Sequence, residues 1–108
     1  MELFKDAREA AAFAPEKMTK VNLFETAQMF CDVYGLNPGQ EQKPHAHAGS
    51  DKVYFVVDGV GRFRIGDVER DAGTGCAVLA PAGHSHAVRN PGPGPLTLLV
   101  FMAPKPIR

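Results

Sequence analysis

The four histidines of this chain fall in two short clusters, His45-Ala46-His47 and His84-Ser85-His86. Neutral imidazole is the commonest side-chain metal ligand and suits Zn, Fe, Cu and Ni alike. On a β-strand, residues two apart point to the same face, so His45 and His47 can aim both rings at one point. A lone His-x-His carries little weight, because exposed strands often hold two solvated histidines. Two clusters separated by about forty residues, holding every histidine of the chain, point instead to one shared site.

Something must bring those segments together, and the rest of the sequence reads as short strands. Glycine and proline, 11 and 9 of them, punctuate short apolar runs. That pattern belongs to an all-β sandwich or barrel. Strands are expected over 21–24, 29–36, 42–47, 53–57, 61–65, 68–71, 76–80, 86–89 and 96–102. Asp58-Gly59 is a hairpin turn signal. Phe63 and Ile65 alternate with Arg62 and Arg64, as a half-exposed strand requires. Arg62, Arg64 and Arg70 then form a solvated face. Ahead of the strands, residues 6–13 form one short helical turn with Asp6 as N-cap, ended by Pro15. No linker or repeat divides the chain, so residues 1–108 read as one domain.

The stretch from Gly39 through His45 and His47 to Gly59 resembles the first motif of the cupin superfamily. That motif runs Gly, five residues, His-x-His, three or four residues, Glu, six residues, Gly. The stretch Gly75 to Asn90 is similar to the second motif at every fixed position, with Pro81, Gly83, His86 and Asn90 in place. Both motifs lie within residues 39–90. The resemblance implies a double-stranded β-helix, or jelly-roll, cupin barrel. It also implies that His45, His47 and His86 hold a divalent metal ion, with Zn, Fe, Mn or Ni as candidates. Pro81, Gly83 and the motif glycines are expected to shape turns. Asn90 is expected to brace a loop through its side chain.

One position departs from the family pattern. The family's metal-binding Glu is separated from the motif's closing glycine by six residues, and the residue so placed before Gly59 is Lys52. A protonated lysine cannot ligate, and it repels a cation by about 4 kcal/mol at about 4 Å and an effective dielectric of about 20. Asp51 is adjacent, but one step along a strand turns a side chain to the opposite face. Asp51 joins the site only if a bulge re-aims it. Two further arrangements are open. Three histidines can hold the metal with water at the remaining positions. Alternatively the site is metal-free, and Lys52 fills it or holds an anionic ligand. Buried lysines also serve as bases.

The catalytic candidates are therefore Lys52, Tyr54 and His84. Strand parity puts Tyr54 on the face of residue 52, and substrate is expected to enter beside His84 and Tyr54. Two functions follow. One is a metalloenzyme of oxygenase or isomerase type acting on a small molecule. The other is a metal-free small-molecule binding or sensing module in which Lys52 occupies the degenerate metal site.

Charge bounds the partners. Lys and Arg number 12 against 12 Asp and Glu, without a basic run. This argues against nucleic acid or an anionic membrane as partner. No apolar stretch approaches a membrane span, and the N-terminal residues lack the apolar run of a secretory signal. A cytoplasmic location is the expectation. Cys31 and Cys76 sit in no metal or redox spacing and read as small buried apolar residues. A chain this short builds a thin core, so a homodimer is expected.

Overall fold

A computed structural model describes residues 2–106. The chain opens with a helical turn, α1 (Ala7–Ala10), followed by nine strands. These are β1 (Thr19–Glu25), β2 (Phe30–Leu36), β3 (Glu41–His45), β4 (Asp51–Asp58) and β5 (Val60–Ile65). They continue as β6 (Val68–Gly73), β7 (Ala77–Ala80), β8 (His86–Arg89) and β9 (Leu96–Ala103). Each expected strand is present, in the expected order. All pairings are antiparallel. One sheet runs β1-β2-β9-β4-β7 and the other β3-β8-β5-β6, giving the expected jelly-roll barrel.

Alternation decides what lies between the sheets. On β4, Lys52, Tyr54 and Val56 are buried, while Asp51, Phe55 and Asp58 are exposed. On β9, Leu96, Leu98, Val100 and Met102 face inward. Leu96, Leu98 and Val100 join Tyr34, Leu36, Tyr54, Val56, Phe63, Ala80 and Val88 in the main core. A second cluster of Leu23, Cys31 and Val33 lies on the outer face of β1 and β2, covered by alanines of the N-terminal turn.

That turn is shorter than the expected 6–13. Asp6 is its N-cap, its side chain accepting from the N–H groups of Arg8 and Glu9. Beyond Ala10 the backbone is extended, because its carbonyls find partners in the barrel. Ala12 O accepts from the Thr19 hydroxyl, and Ala14 O accepts from Asn37 Nδ2 and Gln40 Nε2. Tertiary hydrogen bonds replace helical ones there.

Gly59 closes the β4–β5 turn at φ +97°, the left-handed region. A Cβ at this position would also stand 2.4 Å from Pro95 O. Gly59→Ala is therefore expected to destabilise the protein by at least about 2 kcal/mol, read from urea unfolding. A change below about 0.5 kcal/mol would mean that the turn relaxes freely.

Among the described residues, no helix is long and apolar enough to cross a membrane. Cys31 is buried as expected. Cys76 is not: it is exposed, in the turn ahead of β7.

Candidate metal centre

Strands β3 and β8 pair with His45 opposite His86. The pairing is irregular between Gln42 and His45, where Pro44 cannot donate to the ladder. The strand ends at His45, so His47 lies in the following loop and not on an extended strand reaching residue 47. A different device holds it: the N–H of Gly83 donates to His47 O at 2.8 Å. Gly83 sits at φ +81° in the turn before β8. The second motif thus latches the first.

The outcome is convergence. One ring nitrogen from each of His45, His47 and His86 lies within 4.8 Å of the others. His86 is 2 % exposed; His45 and His47 are half-buried at the mouth. His45 Nδ1 lies 2.9 Å from Lys43 O, and His86 Nδ1 lies 3.1 Å from His84 O. A carbonyl only accepts, so both Nδ1 atoms carry the proton and both Nε2 atoms present lone pairs. Those two Nε2 atoms face one another at 3.1 Å.

Two facing lone pairs at this spacing are an arrangement that a shared cation would bind. A proton is a poor candidate at neutral pH. Burial holds the His86 imidazole down at about 4, and Lys52 and the other two imidazoles add repulsion. Burial likewise lowers His45 and His47, with positive neighbours assisting. All three are neutral bases near pH 7, the state that binds metal. A span of 3.1 Å is one that two metal–nitrogen bonds of about 2.0–2.1 Å can bridge. The backbone carbonyls already hold two of the rings, the supporting role that outer partners play at metal sites. The donor set therefore fits a metal ion.

Asp51 does not join the cluster. Its Oδ1 accepts from the N–H of Ala82 at 2.9 Å, and the side chain is exposed. The β4–β9 register runs without a shift from Asp51 to Val56, so no bulge re-aims it. The same parity sends Lys52 inward, where it is 1 % exposed. Its Nζ donates to Gln42 Oε1 at 3.1 Å and lies over the rings of Tyr54 and Tyr34 at 4.7 and 5.2 Å. Burial pushes its pKa down to about 7, Lys20 pushes further and Asp32 opposes.

Tyr54 is fully buried, its ring centroid 6.2 Å from that of His86, and its hydroxyl donates to Gln42 Oε1 at 2.7 Å. Burial, with Tyr34 adding to it, raises that hydroxyl far above the ordinary phenol range. It stays protonated and acts as a donor. His84 lies apart from the cluster. Its Nδ1 is 3.3 Å from Ala82 O, and it lines a separate groove with Phe63, Ile65 and Pro81. Only its backbone serves the centre, through the carbonyl facing His86 Nδ1. Substrate entry beside His84 is thus not the route to the three imidazoles. Asn90 braces its loop as expected, donating to Leu36 O and Gly94 O and accepting from Gly92 N–H.

The residue missed in the sequence is Gln42. Its amide accepts from both Lys52 and Tyr54 and donates towards Tyr34 Oη at 3.4 Å. Its inward parity on the third strand was a readable signal, but the irregularity at Pro44 hides which face is inward. Gln42→Leu strands two buried donors and is expected to destabilise the protein by about 2–5 kcal/mol in urea unfolding. A loss under about 1 kcal/mol would remove Gln42 from this supporting role.

Beside the imidazoles lies a cavity of about 260 Å³, lined by Lys20, Asp32, Tyr34, His45, His47 and Lys52 together with apolar residues. Asn22 Nδ2 donates to Asp32 Oδ1 at 2.8 Å on its rim.

Comparison with known proteins agrees with this architecture. The family model described as a cupin domain matches residues 32–102. The TT1209 structure from Thermus thermophilus is 46 % identical, with 95 % of this chain and 98 % of that one covered and a TM-score of 0.92. An RmlC-like cupin from Desulfovibrio desulfuricans is 24 % identical over 98 % of this chain and 100 % of that one, with a TM-score of 0.87. A Klebsiella pneumoniae protein with a double-stranded β-helix domain is 22 % identical, covering 96 % and 91 %, with a TM-score of 0.90. No curated protein sequence matches the chain.

Proposed function

Since the chain belongs to the cupin family, we propose that it is a metal-dependent member in which His45, His47 and His86 hold one divalent ion and a small molecule is transformed beside it. The observation that carries this reading is the pair of unprotonated Nε2 atoms of His45 and His86, 3.1 Å apart with His47 adjoining. Zn, Fe, Mn and Ni all suit imidazole ligands, and three protein ligands leave positions open for water or substrate. A bound ion supplies Lewis acidity or oxygen activation, the basis of isomerase-type or oxygenase-type chemistry. The chain's own residues do the rest. The carbonyls of Lys43 and His84 fix ring orientation, and Lys52 with the Tyr54–Gln42 pair holds the cavity wall.

Elemental analysis of protein purified without an affinity tag tests this. About one metal ion per chain is expected. Trace metal, with no uptake on dialysis against zinc, manganese, iron(II) or nickel, would overturn the reading. A metal-free binding module would then be favoured, and Lys52 is the observation behind that alternative. It stands 1 % exposed where the family carries a metal-binding Glu.

A homodimer is the assembly we propose. The outer face of β4, β7 and β9 carries Phe55, Leu79 and Phe101, which are 36 %, 56 % and 37 % exposed. The register makes them one patch: Val53 lies between Leu79 and Phe101, and Phe55 lies between Ala77 and Leu99. Contiguous exposed apolar area of this kind marks an association surface. The zero net charge puts no overall repulsion between two copies. Light scattering at micromolar concentration is expected to give twice the chain mass, and Phe101→Lys is expected to give a monomer. A monomeric parent protein would contradict the proposal.

A further inference from the structure

Lys52 is the one buried residue of the centre for which metal binding alone provides no use. Its position is fixed by strand parity on both sides: Lys52 pairs with Met102 and with Ala80, and no bulge lies nearby. An ammonium has three donors. Among the described residues, the hydrogen bonding of Lys52 is limited to Gln42 Oε1, an oxygen it shares with Tyr54. The faces of two tyrosine rings supply further electron density, and among the described residues no carboxylate hydrogen-bonds to Nζ. The side chain nevertheless lines the same cavity as His45 and His47.

The chemistry of that cavity narrows what it holds. Among the described residues, the charged side chains of its lining are Lys20, Lys52 and Asp32. Among the described lining residues there is no arginine fork to take a phosphate through paired N–H bonds. The Lys52 ammonium is a compact point charge that one carboxylate group can meet. The volume of about 260 Å³ equals roughly nine water volumes at about 30 Å³ each. That accommodates an acid of a few carbons and excludes a nucleotide or a polymer.

Resting on the three-histidine reading, we infer that the substrate is a small carboxylate with a second oxygen donor. Its carboxylate lies against Lys52 Nζ, and its hydroxyl or keto oxygen faces the imidazole cluster. The placement of Lys52 fits this arrangement, since it is 1 % exposed, shares its one hydrogen-bond acceptor with Tyr54 and lines the cavity beside His45 and His47. Lys52 is thus a substrate-anchoring residue standing where relatives place a metal-binding carboxylate.

Calorimetric titration separates this inference from the metal reading. The probes are glycolate, glyoxylate, propionate as a one-donor control, and inorganic phosphate. They are titrated into the zinc-loaded protein, Lys52→Met, and His45→Ala/His47→Ala. In Lys52→Met, zinc stoichiometry is expected to persist while affinity for all three carboxylates falls roughly tenfold to a hundredfold. Lys52→Gln is expected to behave alike, which guards against a folding defect in either variant. The double histidine variant is expected to lose zinc and the preference for glycolate over propionate, while still binding propionate. Unchanged carboxylate affinity in both Lys52 variants would overturn the anchoring role and leave the metal centre standing. Phosphate binding tighter than any carboxylate would overturn the substrate class. Absence of zinc from the parent protein, with carboxylate binding still dependent on Lys52, would overturn the metal centre and leave the anchor.

Discussion

Replacing Lys52 with methionine is expected to stabilise the metal-free protein by about 2–4 kcal/mol at pH 7. In the unfolded chain the amine titrates near its ordinary value of about 10.4. In the folded barrel, burial and the Lys20 charge bring it down to about 7. Between those two values the unfolded chain binds the extra proton, so stability rises with pH across that window. The penalty is complete only below the folded-state value of about 7, and most of it is still present at pH 7. Methionine keeps the unbranched apolar stem and has no charge to desolvate. It also leaves Gln42 Oε1 satisfied, because Tyr54 still donates to it. Urea unfolding at pH 7 and pH 9.5 measures the difference. The parent protein is expected to gain stability between the two, apart from the titration of other groups, and Lys52→Met is expected to gain less. A methionine variant less stable than its parent at pH 7 would mean that the tyrosine faces and Gln42 more than compensate the buried ammonium.

The second large effect is on metal affinity. His45→Ala is expected to weaken zinc binding by more than about a hundredfold, since even loss of an outer partner at a metal site costs roughly 10–100-fold. His45 is half-buried at the mouth of the barrel, so the metal-free variant is expected to unfold within about 1 kcal/mol of its parent. Competition against a chelator measures the first quantity and urea unfolding the second. A variant that binds zinc as tightly as its parent would exclude His45 as a ligand. One that fails to fold would be separated from a true ligand loss by the unfolding curve.

Most of the architecture was legible because it rests on local signals. Glycines and prolines mark the turns, and alternation marks the strands, so nine strands appear in the right order. Only the ends shift by a residue or two. The histidine convergence was legible for a different reason: two clusters holding all four histidines need a common location. What the sequence concealed comes from tertiary competition. The N-terminal turn stops at Ala10 because Thr19, Asn37 and Gln40 capture the carbonyls that a longer helix would use. His47 lies outside the third strand because Pro44 interrupts the ladder, and the N–H of Gly83 then fixes the loop. Parity alone argued that Asp51 and Lys52 point oppositely, and the bulge needed to reverse this is not there. Gln42 was missed because the irregularity at Pro44 obscures its parity and its role exists only once three strands meet around its amide.

Tyr54 and His84 could not be ranked from the sequence, where both were candidates for chemistry. Burial separates them: Tyr54 sits under the cluster as a fixed donor, while His84 points into another groove. The turn containing Pro81 and Gly83 positions the backbone of His84 for His86, and the His84 ring is left to solvent.

Diffraction at the zinc edge from crystals grown with stoichiometric zinc examines the shared centre most directly. A single anomalous peak is expected between the rings of His45, His47 and His86, within about 2.0–2.1 Å of one nitrogen of each. A peak bound elsewhere, or zinc held by His84 or Asp51 in place of these three, would contradict the account.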